Sequence, residues 1–328
     1  MSDTLLHIKN LHVKFESRFG TVTALNGIDL EIRKGESLGI VGESGSGKSV
    51  TALSILKLLD ENATFSAEEM LFAGEDLIHK NESDMRKIRG KKIAMIFQDP
   101  MSSLNPVLSV GWQVEENIRL HSDFSRKSRK HKVLDMFHLV NIPDPRFNSR
   151  LYPHQFSGGM NQRIMISLAL SCGPLMLIAD EPTTALDVTT QAQILDLIKK
   201  IMQEEQTALL MISHDLGVIR EVCERVCVMY GGQILEEGMV NDVLYSPKHP
   251  YTRGLIRCIP SIRKQADTLH SISGEVPKGT DLPAGCVFHP RCEHVMARCE
   301  KNKPQLFHRG NRKVRCFLYE DEKATLSK

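Results

Sequence analysis

Nowhere in its 328 residues does the chain hold an apolar run approaching the ~18 residues that a membrane-spanning helix needs, so no span is expected. Its start, MSDTLLHIKN, has neither a basic n-region nor an apolar segment, which argues against a secretory signal peptide. Charge of one sign is missing too. The 42 Lys+Arg against 40 Asp+Glu leave a formal +2, which speaks against a dedicated nucleic-acid binder and against an acidic disordered segment. No internal repeat or low-complexity tract is visible. These absences leave a soluble, cytoplasmic protein, long enough for one large domain or a main domain with a smaller companion.

Period-two apolar residues predict strands over 4–16 (Leu5, Ile8, Leu11, Val13, Phe15) and over 27–32 (Ile28, Leu30, Ile32). GESLGIVG then reads as a short buried strand entering a glycine-rich turn, with SVTALSILKLL as the helix behind it. A short strand is expected at 69–72 and a core strand at 93–97, followed by the loop QDPMSSLNP. Between about 105 and 172 the period turns helical, which predicts a helical subdomain inserted between strands. LMLIA at 175–179 and TALLMI at 207–212 are further buried strands, separated and followed by helices. VCVMYGGQILEEG predicts two edge strands. Buried apolar strands alternating with helices imply a mostly parallel α/β core. Composition breaks near HPYTRGLIRCIP, so we expect a main domain over 1–258 and an extension over 259–328, too irregular to be held by apolar burial alone.

Gly42-Glu43-Ser44-Gly45-Ser46-Gly47-Lys48-Ser49 matches G-x-x-x-x-G-K-[ST] completely, with strand and helix on the correct sides. The glycines let backbone N–H groups turn toward phosphate oxygens, Lys48 can neutralise β/γ charge, and the Ser49 hydroxyl can ligate Mg²⁺. Asp180 closes the strand at 175–179 and suits the Mg²⁺ shell, while Glu181, one residue on, can polarise a water at the γ-phosphate. His214 and Gln98 follow two other strands; the Gln98 amide can touch water or metal. Phe156-Ser157-Gly158-Gly159-Met160-Asn161-Gln162-Arg163 precedes an apolar helix and offers a second anion site. One molecule already supplied with a phosphate loop has little use for it. The economical reading is that Ser157–Gly159 of one copy closes over the triphosphate of another.

With these motifs in this order the chain resembles the ATP-binding cassette family, nearest the ATP-binding subunits of bacterial oligopeptide/dipeptide importers, over residues 4–320. The resemblance implies an α/β P-loop NTPase cassette with an antiparallel β subdomain, an inserted helical subdomain and a small cysteine-rich extension. It implies that Gly42–Ser49 with Val50 bind ATP, that Gln98 is the Q-loop glutamine, and that Phe156–Gln162 is the signature, with Phe156 and Met160 replacing the usual Leu and Gln. Asp180 is then the Mg²⁺-associated acid, Glu181 the catalytic carboxylate, Ala185-Leu186-Asp187 the D-loop and His214 the switch histidine. An aromatic stacks on adenine in the family; Phe19 has the expected spacing and Phe15 is the alternative. The implied function is an ATP-hydrolysing, peripheral subunit on the cytoplasmic face of the membrane, powering uptake of di- or oligopeptides. Its implied partners are a second cassette (a sister chain or itself), two permease subunits and an extracytoplasmic solute-binding protein, with no direct nucleic acid. Related importers carry nickel or other small solutes. Cassettes outside transport act on nucleic acid or ribosomes, commonly with two cassettes or a long coiled-coil insertion, and this chain has neither. Coupling to the membrane subunits is expected in the helical insert and beside the Gln98 loop, where the only tryptophan, Trp112, falls.

Half of the eight cysteines, Cys286, Cys292, Cys299 and Cys316, crowd the end of the chain. In a cytoplasmic protein such a cluster reads as metal ligation, by zinc or an iron–sulfur cluster, and its spacing does not choose between them. His289 and His294 could compete as zinc ligands. The resemblance implies a [4Fe-4S] cluster on the four cysteines. The flanking Arg291, Arg298, Arg312, Lys313 and Arg315 are expected on a solvated face. His249-Pro250-Tyr251-Thr252 resembles the segment that opens the family's extension; Tyr251 is expected to anchor the tail, without chemistry of its own.

Overall fold

The computed structural model describes residues 3–18, 20–184, 186–258, 272–277 and 279–320. Among them the strands run β1 (Thr4–Ser17), β2 (Gly20–Arg33), β3 (Ser37–Val41), β4 (Ala63–Ser66), β5 (Glu69–Phe72), β6 (Glu75–Asp76), β7 (Ile93–Ile96), β8 (Met176–Asp180), β9 (Ala208–Ser213), β10 (Arg225–Tyr230), β11 (Gln233–Met239), β12 (Phe307–Arg309) and β13 (Arg312–Val314). The helices are α1 (Lys48–Ile55), α2 (Glu82–Arg86), α3 (Pro100–Ser103), α4 (Val110–His121), α5 (Arg126–Leu139), α6 (Pro145–Asn148), α7 (Gly158–Leu170), α8 (Val188–Glu205), α9 (Leu216–Val222), α10 (Val240–Tyr245), α11 (Pro250–Arg257) and α12 (Ala297–Lys301). Two compact units result, one from residues 1–5, 32–37 and 73–212, the other from 6–31, 38–72 and 213–328.

In the first unit β8 lies between β7 and β9, parallel to both, with Ile93 opposite Met176 and Met176 opposite Ala208. MLIAD is buried along its whole length, as a strand covered on both faces must be, and Asp180 is carried to its C-terminal end. The helical insert follows from spacing. α4 buries Val110, Val114 and Ile118 along one stripe, and α5 buries Val133, Met136 and Phe137. Both pack on α7, which buries Ile164, Met165, Ile166, Ala169 and Leu170. Ser125 caps α5 and Asp187 caps α8, each side-chain oxygen accepting from a backbone N–H three residues on.

In the second unit β1 pairs antiparallel with β4 and β5, and β2 lies beside it. The inward parity of β1 changes midway, from Leu6 and Ile8 to Leu11 and Val13. Asn10, at φ 52°, stands at the switch, and its N–H donates to Asp29 Oδ1 at 2.8 Å. The unit's other strands order as β12-β13-β11-β10-β3, with β3 parallel to β10 and the remaining pairs antiparallel.

Two sequence expectations are corrected here. β10 and β11 are not edge strands: β10 lies between β3 and β11, and β11 is paired on its far side by β13. The extension is also better packed than its composition suggests. Phe307, Val314, Cys316 and Tyr319 form a buried cluster. Phe288 sits against Tyr230 and Tyr251 at centroid distances of 5.3 Å to each.

Candidate functional site

β3 is buried from Leu38 to Val41 and delivers the chain into the phosphate loop. Gly42 has no room for a side chain: a Cβ there would stand 2.1 Å from the carbonyl oxygen of Met229. Gly47, at φ 104°, begins α1 without a side-chain cap, so no side chain of that residue claims the first-turn N–H groups. A Cβ at Gly45 would meet nothing within 4 Å, which leaves an open, side-chain-free cradle at the turn. Lys48 is buried, and its Nζ donates to the carbonyls of Gly42 at 2.9 Å and Glu43 at 3.0 Å. Ser44 and Gly45 are exposed, and Ser49 and Val50 are half-buried in α1. This cradle fits a polyphosphate: backbone donors, one buried ammonium and no side chain in the way.

Glu43 is held by residues far along the sequence. Its N–H donates to the Tyr251 hydroxyl at 3.0 Å, and its Oε2 accepts from Arg291 Nη1 at 2.8 Å. Sequence reasoning missed both contacts. It assigned Arg291 to a solvated face, whereas its side chain is only 6% exposed. The Arg312 side chain is likewise only 11% exposed and pairs with Glu236. Tyr251 does anchor the tail, as expected, through a fully buried ring.

The carboxylate pair ends β8 in the first unit. Asp180 is buried. Glu181 adopts φ 46°, rare for a residue with a side chain, while its N–H donates to the Ile212 carbonyl at 2.9 Å. Its Oε2 accepts from Gln98 Nε2 at 3.1 Å and from Thr184 Oγ1 at 3.0 Å. The structure thus brings Gln98 and Glu181 together. The strand register explains why: Ile96 is opposite Ala179, so the residues after β7 and β8 emerge side by side.

Ser157 is exposed and caps α7, accepting from the Met160 N–H at 3.4 Å. A Cβ on Gly159 would stand 2.5 Å from Thr190 Cγ2, so a side chain there would have to displace that methyl group of α8. Ser157, Gly158, Gly159, Leu186 and Asp187 line one open hollow of about 350 Å³. His214 stands exposed after β9, next to Asp215, which caps α9. Phe19 and Ala185 lie outside the described residues. Phe15 is half-buried in β1.

The metal expectation fails at the cysteines. Cys286, Cys292, Cys299 and Cys316 line one cavity together with His289 and His294. Among the described residues, however, no three His, Cys, Asp or Glu side chains are arranged to hold a metal ion. The cavity measures about 10 Å³, about the room one water takes, not that of an iron–sulfur cluster. Burial pushes the Cys286 and Cys316 thiols up to about 11 and raises Cys292 as well. Neither group fits; the buried cluster of Phe307, Val314, Cys316 and Tyr319, the pairing of β13 with β11 and the Arg312–Glu236 ion pair hold the segment instead.

The cassette class is visible in comparison with solved proteins. The ATP-binding cassette MJ0796, in its dimeric post-hydrolysis state bound to ADP and Pi, matches with a TM-score of 0.65 at 28% identity, over 72% of this chain and 99% of that one. CbiO1 of Clostridium perfringens, part of an ABC transporter complex, matches with a TM-score of 0.63 at 25% identity, over 75% and 92%. The fold is therefore an α/β P-loop NTPase cassette with an inserted helical subdomain, and the chain is an ATP-hydrolysing ATPase of the ABC class.

Its branch follows from sequence. Residues 25–184 match the ABC transporter family, and residues 235–299 match the oligopeptide/dipeptide transporter C-terminal region. The dipeptide transport ATP-binding protein DppD of Haemophilus influenzae is 46% identical over 95% of this chain and 94% of its own length. The oligopeptide transport ATP-binding protein AppD of Bacillus subtilis is 46% identical over 99% of both. The chain belongs to the oligopeptide/dipeptide family of ABC transporter ATP-binding subunits.

Proposed function

We propose that this chain hydrolyses ATP to power uptake of di- or oligopeptides, as a peripheral subunit on the cytoplasmic face of the membrane. Residues 1–258 form the cassette in this reading, and 259–328 its extension. Gly42–Val50 bind the triphosphate, with Lys48 offsetting charge on the β- and γ-phosphates. Ser49, Gln98 and Asp180 are hard oxygen donors of the kind Mg²⁺ takes, and they would hold the ion, which when bound neutralises phosphate charge. Glu181 orients the attacking water and accepts its proton, and His214 adds a donor at the γ-phosphate. Ser157–Gly159 serve the nucleotide of a second cassette, so that binding closes the pair and hydrolysis reopens it.

The observation that carries the hydrolytic reading is the Glu181 carboxylate, fixed by Gln98 and Thr184 at the end of a buried strand. Such fixed positioning is what in-line attack by water requires. The cargo follows the relatives, named for dipeptide and oligopeptide transport. Among the described residues no helix is long and apolar enough to cross a membrane. In this reading the pore belongs to separate permease subunits, fed by an extracytoplasmic solute-binding protein, beside a second cassette. Trp112, 43% exposed, lines an open groove of about 530 Å³ with Glu115, Arg126 and Lys130, a surface suited to a helix from such a permease.

Glu181→Gln tests the mechanism. It keeps nucleotide binding and lowers turnover of the assembled transporter by at least ~100-fold. Normal turnover would remove Glu181 from its role. Uptake of labelled di- and oligopeptides into cells with and without the gene tests the cargo, and equal uptake in both would refute it.

A further inference from the structure

The chain after β11 reaches back to the phosphate loop, where Tyr251 of α11 and Arg291 of the extension meet on one residue. Glu43 is held at three points: its N–H by the Tyr251 hydroxyl at 3.0 Å, its carbonyl by Lys48 Nζ at 3.0 Å, and its carboxylate by Arg291 Nη1 at 2.8 Å. Neither distant partner is free to swing. Arg291 donates through Nε to the Ser273 carbonyl at 2.9 Å and through Nη2 to the Ile272 carbonyl at 3.1 Å. Its guanidinium also lies over the Tyr230 ring, 5.7 Å from the centroid. The Tyr251 ring is fully buried against Tyr230, with centroids 4.6 Å apart.

The electrostatics give this arrangement a purpose. A glutamate within a loop that receives a triphosphate places like charge beside a polyanion, which weakens binding. Arg291 neutralises that carboxylate through a charge-assisted hydrogen bond at a site only 26% exposed on the Glu43 side. The Tyr251 hydroxyl fixes the orientation of the Gly42–Glu43 peptide, so the loop meets its ligand already shaped.

We propose that Arg291 and Tyr251 are positioning residues for nucleotide binding: Arg291 of the extension neutralises Glu43, and Tyr251 of α11 locks the phosphate loop in its binding shape. This rests on the reading of Gly42–Ser49 as the nucleotide loop, which Lys48→Ala tests separately.

The experiment measures equilibrium binding of a fluorescent ATP analogue to the full-length chain carrying Arg291→Ala, Glu43→Gln, both together, or Tyr251→Phe. Arg291→Ala weakens binding about tenfold by leaving the Glu43 carboxylate unpaired. Adding Glu43→Gln removes the repelling charge and restores affinity to within about threefold of the parent. Tyr251→Phe keeps the buried ring, loses only the hydroxyl, and weakens binding about threefold. A merely structural arginine would not be rescued by changing Glu43. Parental affinity in both Arg291→Ala and Tyr251→Phe, or an Arg291→Ala loss that Glu43→Gln leaves untouched, would overturn the proposal. Unaltered binding by Lys48→Ala would overturn the loop reading beneath it.

Discussion

Acid should loosen the α11 region through His249. Its ring is buried, packs against Phe288 at 5.8 Å between centroids, and accepts the Tyr251 N–H on Nδ1 at 3.0 Å, capping α11. Only a deprotonated Nδ1 can accept that bond. Burial holds this histidine at about 3, against about 6.5 in an unfolded chain. Because the folded value is the lower, the unfolded chain binds more protons between these limits. The stabilisation is complete above about pH 6.5 and drains away as the pH falls toward 3. Between pH values of about 7.5 and 5 the loss from this one group comes to about 2 kcal/mol, and it is nearly the same for any folded value of about 4 or below. Urea unfolding of the parent and of His249→Asn across that range measures it. Asparagine caps a helix without titrating, so the variant's stability should fall less by about 2 kcal/mol. Parallel pH dependences in the two proteins would refute the reasoning.

Gly42→Ala would force a methyl group to within 2.1 Å of the Met229 carbonyl oxygen, a backbone atom that cannot step aside. The expected cost is about 3 kcal/mol with loss of nucleotide binding, read by thermal unfolding and by the fluorescent analogue; a parental melting temperature would contradict the packing. Trp112→Ala, in the open groove of the helical insert, should leave nucleotide binding unchanged and cut retention of permease subunits in membrane pull-downs about tenfold. Undiminished retention would move the docking surface elsewhere.

Contiguous motifs made most of the site legible in advance. Gly42–Ser49 between strand and helix, and Asp180-Glu181 at the end of an apolar run, each declare their chemistry within a few residues. The helical insert was legible through the three- and four-residue spacing of its buried positions, such as Val110, Val114 and Ile118 in α4. Long-range pairings were not. β12 and β13 are three residues each, too short for a periodic signal, and only their pairing beside β11 turns a supposed edge into an interior strand. Arg291 and Glu43 lie 248 positions apart, and a lone arginine among other basic residues does not declare a partner. The cysteine spacing misled because it says nothing of side-chain arrangement or cavity size. The four side chains line a space of only about 10 Å³, and among the described residues they are not arranged to hold an ion.

The central claim is that one triphosphate is gripped by the phosphate loop of one cassette and the Ser157–Gly159 turn of another. Vanadate, trapped with ADP where the γ-phosphate sits in the membrane-assembled transporter, photo-oxidises the backbone it touches, and mass spectrometry locates the breaks. The account predicts cleavage of this chain within residues 42–49 and also within 157–159. Cleavage confined to the phosphate loop would contradict it.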